Sequence, residues 1–103
     1  MDTVEKSVYI VDDDEAVRKA LTRSLEQRGY HVKTYASAED FLAGYQHTAP
    51  GCLLLDVRMP GLNGLELQEI LAERKIPLPI IFSTGHGDIP MSVRAMKGGA
   101  VDF

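Results

Sequence analysis

Residues 8–17 read VYIVDDDEAV: an apolar run passes directly into three aspartates and a glutamate. Ser7 to Val11 has the length and composition of a buried strand. The four acids, Asp12, Asp13, Asp14 and Glu15, are harder to account for. Two unit charges about 4 Å apart repel by roughly 4 kcal/mol at an effective dielectric near 20. Asp13 or Asp14 would serve as the N-cap of a following helix, with Glu15 well placed in its first turn. Capping uses one or two acids and leaves the others needing a counter-charge. Capping by Asp14 and cation binding by Asp12 and Asp13 are compatible.

Outward from this stretch the pattern alternates between strand and helix. Glu15 to about Arg28 is an amphipathic helix in which Val17, Leu21 and Leu25 recur every four residues, with Ala20 and Ser24 beside them and Gly29 at the C′ position. Arg18, Lys19 and Arg23 read as its solvated face. His31 to Tyr35 is a second strand. Ser37 opens a capping pattern before Phe41, Leu42 and Tyr45, with Asp40 where a capping box prefers Glu or Gln. Cys52 to Leu55 is apolar throughout, a strand expected to be covered on both faces. Gly64 to Arg74 is a third helix with Leu67, Ile70 and Leu71 inward, and Pro79 to Phe82 a fourth strand. A fourth helix is expected from near Ile89, with Pro90 in its first turn, to Gly98-Gly99. Ala100 to Phe103 begins a fifth strand. Strands separated by helices imply right-handed crossovers and a doubly wound parallel sheet. Ligands of such sheets bind beyond the carboxyl ends of the strands.

The residues that follow the apolar runs are therefore the candidates. Asp12 and Asp13 follow the first, Asp56 the third, and Ser83 and Thr84 the fourth. If the first and third strands are neighbours, three carboxylates and a hydroxyl meet at one edge. There is no Walker loop, no dinucleotide fingerprint, no recognisable Ser-His-Asp set and no cysteine pair for zinc. The cluster suits a hard divalent cation such as Mg²⁺, held by carboxylates together with phosphate. A carboxylate at such a site can also be a nucleophile towards phosphorus.

The 103 residues suffice for one small domain, and 45% hydrophobic with 25% charged residues is ordinary globular composition. The net charge of -4 argues against nucleic acid as a direct partner. No apolar run is long enough to cross a membrane, and the polar MDTVEKS start lacks the layout of a signal peptide. The single cysteine, Cys52, reads as a small buried core residue. A cytoplasmic location fits all of this.

The paired acids of VDDDE, the LLLDVRMPGLNG segment, STGHGD and the closing MKGGAVDF occur together in order. On these motifs the whole chain resembles the receiver domain of two-component response regulators. The TGHGDIPMSVRAMKGGAVDF stretch is most similar to the FixJ type within the NarL/LuxR-like transcription regulators. The resemblance implies a flavodoxin-like (CheY-like) sheet of strand order 2-1-3-4-5. It implies that Asp56 is the phosphoacceptor, taking a phosphoryl group from a sensor histidine kinase or a small donor such as acetyl phosphate. Asp13 and Asp56 would ligate Mg²⁺, with Asp12 acting through an ordered water and the backbone carbonyl of Arg58 completing the protein ligands. Thr84 would be the switch hydroxyl and Phe103 the switch aromatic. Met59-Pro60 and Gly64 would shape the loop after Asp56. His86 reads as a surface loop residue, and His31 and His47 as structural or solvated.

The family carries a lysine shortly after the switch aromatic, and no residue here matches it; Lys97 falls before the double glycine. An electrophilic donor of that kind contributes about 2.7–4 kcal/mol to a transition state. Slower phosphorylation is the corresponding expectation. The resemblance further implies a receiver domain over residues 1–103, shortened within its fifth strand, lacking helix 5 and a DNA-binding output domain, and prone to self-association or domain swapping. The main reading is thus a regulatory switch, not an enzyme proper, that promotes its own Mg²⁺-dependent phosphorylation and dephosphorylation and regulates transcription through an output domain. The alternatives are an inert fragment serving as a dimerisation piece, and a Mg²⁺-dependent phosphohydrolase with an aspartyl nucleophile.

Overall fold

The apolar run before the acids is strand β1 (Ser7–Val11), and in the computed structural model it is an inner strand of a parallel sheet. The structure describes residues 7–46 and 51–82. Elements alternate along the chain: β1, α1 (Glu15–Gln27), β2 (His31–Tyr35), α2 (Ala38–Gly44), β3 (Gly51–Leu55), α3 (Gly64–Glu73) and β4 (Ile80–Phe82). The sheet order is β2-β1-β3-β4, with every pairing parallel. This matches the expected order as far as the described residues reach. The fourth helix and fifth strand expected from the sequence lie outside them, as do Thr84, His47, His86, Lys97 and Phe103.

Local chemistry sets the helix ends. Asp14 caps α1, its carboxylate accepting from the backbone N–H of Ala16 and Val17. Gly29, just past α1, has φ +88°, the left-handed conformation that a glycine adopts without a Cβ penalty. Ser37 Oγ accepts from Asp40 N–H at 3.0 Å to start α2. At α3, Asn63 and Glu66 form a full capping box, a signal present in the sequence as Asn-x-x-Glu and passed over there.

Right-handed crossovers running in opposite directions from β1 put α1 on one face of the sheet and α2 and α3 on the other. The second face holds the main core: Tyr9, Val11, Leu53, Leu55, Ile80 and Phe82 from the strands, Ala38 and Phe41 from α2, and Leu65, Leu67 and Leu71 from α3. Phe41 is fully buried and stacks on Tyr45 with ring centroids 4.9 Å apart, while Tyr9 and Tyr35 meet it edge-on. Burial of such a side chain stabilises by about 1.5–3 kcal/mol.

The α1 face is covered less completely, and three expectations are corrected there. β3 is not enclosed on both sides: Leu53 and Leu55 are buried, but Leu54 between them is only half-buried. Cys52, on the same face as Leu54, is half-buried and lies outside the core; partial burial pushes its thiol pKa up. Along α1 itself no residue is buried, and Val17, Leu21 and Leu25 are only half-covered. On α3, Leu67 and Leu71 point inward as expected, but Ile70 is half-exposed and Gln68 takes a buried place.

Candidate metal centre

The strand register decides where the acids meet. Val11 is the Cα partner of Leu55 across β1 and β3, so the next residues, Asp12 and Asp56, leave adjacent strands at the same level. The Asp56 N–H still donates to Val11 carbonyl oxygen at 3.0 Å, and the Asp12 N–H to Tyr35 at 3.2 Å, so both backbones are held where the strands end. One carboxylate oxygen from each of Asp12, Asp13 and Asp56 lies within 4.8 Å of the other two. This is the junction where the sheet order reverses, the place at which such folds bind ligands.

The three acids sit in different surroundings. Asp12 is 7% exposed, and its Oδ1 accepts from the Asp14 N–H at 2.9 Å. Burial holds its pKa above the ordinary carboxylate value. The Asp14 hydrogen bond works against this, the Asp13 and Asp14 charges add to it, and Arg18 opposes them. Asp13 is exposed and Asp56 half-buried. Asp56 Oδ1 accepts from the Arg58 N–H at 3.2 Å.

The loop after Asp56 is anchored by alternation. Val57 and Met59 are buried, while Arg58 and Pro60 face solvent. Gly64 opens α3 against the end of β3, and its N–H donates to Val57 carbonyl oxygen at 3.0 Å. A Cβ there would overlap the Asp56 carbonyl and lie 2.9 Å from Val57 Cα, so only glycine permits this approach. From α2, Glu39 Oε2 accepts from the Leu62 N–H at 3.4 Å. Sequence reading passed over Glu39, because a contact spanning 23 residues leaves no local pattern. It also assigned Arg18 to the solvated face of α1. The structure corrects this: Arg18 is half-buried and its Nη1 donates to the Asp12 carbonyl oxygen at 2.7 Å. Lys19, by contrast, is the exposed residue expected, paired with Glu15 at 2.9 Å.

The donor set is all oxygen and anionic, partly open to solvent, and close enough for one ion to touch more than one carboxylate. Those properties fit a hard, oxygen-seeking cation that keeps some of its water, as Mg²⁺ does. No helix among the described residues is long and apolar enough to cross a membrane.

Comparison with known proteins agrees with this architecture. The response regulator receiver domain family matches residues 8–103. Response regulator protein TmoT of Ectopseudomonas mendocina is 52% identical over 103 residues, covering 100% of this chain and 47% of that protein. The transcriptional regulatory protein FixJ of Rhizobium meliloti (strain 1021) is 52% identical over 97 residues, covering 94% of this chain and 48% of that protein. The crystal structure of FixJ-N superposes with a TM-score of 0.87 at 50% identity, covering 100% of this chain and 81% of that one. The chain thus spans about half the length of the curated relatives it matches. Both proteins are regulators by name. With carboxylates from two strands gathered at the reversal point of a 2-1-3-4 parallel sheet, and with this degree of likeness along its length, the chain belongs to the receiver domains of response regulators, of the FixJ type.

Proposed function

We propose that the chain is a phosphorylation-dependent switch that accepts a phosphoryl group on Asp56 from a sensor histidine kinase. The observation that carries this reading is the convergence of Asp12, Asp13 and Asp56 within 4.8 Å, with Asp56 half-exposed at the end of β3. A carboxylate oxygen of Asp56 attacks phosphorus. A phosphorus–oxygen bond forms, and the bond from phosphorus to the donor histidine nitrogen breaks, leaving its electron pair on that nitrogen. Asp12, Asp13 and Asp56, with the Arg58 carbonyl, would hold Mg²⁺, which when bound neutralises charge on the transferring group. Asp12 and Asp13 keep the site anionic and so attractive to a hard divalent cation. The Arg58 N–H on Asp56 Oδ1 restrains the nucleophile's rotamer. Hydrolysis of the phosphoaspartate at the same site would reset the switch.

Thr84 as the switch hydroxyl and Phe103 as the switch aromatic belong to this proposal on the strength of the resemblance. So do a cytoplasmic location, an output domain that regulates transcription, a domain spanning residues 1–103, and self-association. The test is incubation with acetyl phosphate and Mg²⁺ followed by intact-mass measurement. We expect one phosphoryl adduct, absent when the metal is chelated before the donor is added and absent in Asp56→Asn. Phosphate release without an adduct, or an adduct that persists in Asp56→Asn, overturns the proposal.

A further inference from the structure

We infer that Arg18 is a positioning residue for the metal centre, acting through the carbonyl of Asp12 on the direction of Asp12 and Asp13. The inference rests on the magnesium reading above. Asp12 is the first residue past β1, where ladder pairing gives out. Its N–H is held by Tyr35 and its carboxylate by the Asp14 N–H. Its carbonyl oxygen accepts from Arg18 Nη1 at 2.7 Å, a short, charge-assisted bond in a partly buried setting. The peptide group is planar, so fixing the Asp12 carbonyl also fixes the bond from the Asp13 nitrogen to its Cα. Asp13 is exposed, so this plane directs it where its own packing does little.

The arginine is itself anchored. Its N–H donates to Asp14 carbonyl oxygen at 3.0 Å in the first turn of α1, and Asp14 caps that helix. The acidic turn is therefore clasped to α1 at Asp14 by backbone and at Asp12 by side chain. Helix and ligand turn form one unit.

The two ways in which Arg18 acts on a bound cation have opposite signs. Its charge opposes the approach of Mg²⁺, while its hydrogen bond orients the carboxylates that receive the ion. Arg18→Met keeps most of the apolar length of the side chain and removes both charge and donors. Magnesium affinity of the full chain, measured by isothermal titration calorimetry, separates the two. If positioning dominates, Arg18→Met weakens binding about tenfold, the scale typical of losing an outer partner of a metal ligand. Arg18→Lys, which keeps the charge without the planar fork, falls between Arg18→Met and the wild type. An Arg18→Met affinity equal to or tighter than wild type overturns the inference and leaves the metal site intact. Wild-type protein that binds no Mg²⁺ overturns the site reading and this inference with it. Should thermal melts show that Arg18→Met is unfolded, Arg18→Lys decides: a dissociation constant equal to wild type overturns the positioning role.

Discussion

Asp12→Asn should raise the stability of the metal-free protein while removing its response to Mg²⁺. The oxygens of Asp12, Asp13 and Asp56 lie within 4.8 Å of one another, which gives a repulsion per pair of about 3.5 kcal/mol at an effective dielectric of about 20 and about 0.9 kcal/mol in bulk water. Asp13 is exposed and Asp56 half-buried, so solvent screening moves each pair towards the lower figure. Neutralising Asp12 relieves two pairs, about 2 kcal/mol, together with the cost of burying its charge. Asparagine keeps the Oδ1 that accepts from Asp14 N–H, but that bond loses its charge assistance, about 1 kcal/mol. The net gain is about 1–2 kcal/mol, or a rise in Tm of about 5–10 °C for a domain of this size. Wild type in Mg²⁺ at ten times its dissociation constant gains about 1.4 kcal/mol by mass action, and Asp12→Asn gains little of it. Calorimetric or circular-dichroism melts with and without Mg²⁺ report both effects. A metal-free Tm for Asp12→Asn below wild type, or an undiminished Mg²⁺ shift, refutes the reasoning.

Acid should act on the metal-free and metal-bound forms in opposite directions. Burial gives Asp12 a higher folded-state than unfolded-state pKa, so the folded protein binds this proton more tightly. Its contribution to metal-free stability therefore rises as pH falls through the folded value and declines as pH rises. Mg²⁺ requires the carboxylate, so Mg²⁺ affinity measured by calorimetry should be lost on acidification earlier than an ordinary aspartate would dictate. Gly64→Ala forces a Cβ against the Asp56 carbonyl and Val57 Cα, and we expect urea melts to show a loss of about 2–3 kcal/mol, with a matching fall in phosphoryl adduct yield. Unchanged stability and yield would contradict the close approach. Asn63→Ala removes one half of the α3 capping box and should cost about 1 kcal/mol in the same melts, less when Glu66 is already alanine.

Much of this molecule is written locally. The apolar run and the four-residue apolar spacing that follows it fix β1 and α1 within a residue or so, and β2 after them, because apolar spacing and the caps at Asp14, Gly29 and Ser37 are short-range. The convergence of Asp12, Asp13 and Asp56 was also foreseeable: it needs only the alternation of strand and helix and the rule that ligands sit beyond the strand ends. The full capping box at Asn63 and Glu66 is equally local, closing within four residues. Sequence could not distinguish the two faces of β3. Cys52, Leu53, Leu54 and Leu55 are all apolar, yet only Leu53 and Leu55 are buried, because α2 and α3 cover one face of the sheet more fully than α1 covers the other.

What the sequence determined alone is thus the element order, the helix caps and the set of acids that the strands deliver. What the tertiary structure decided is how those acids are held. Arg18 has the composition of a solvated residue, and only the return of α1 onto the end of β1 brings its guanidinium to the Asp12 carbonyl. Glu39, on α2, meets the Leu62 N–H across 23 residues, a contact that likewise forms only in the folded chain. Spacing along the chain encodes secondary structure because those interactions close within a turn or a strand. Contacts between elements depend on how helices settle against the sheet, and that packing is a property of the whole fold.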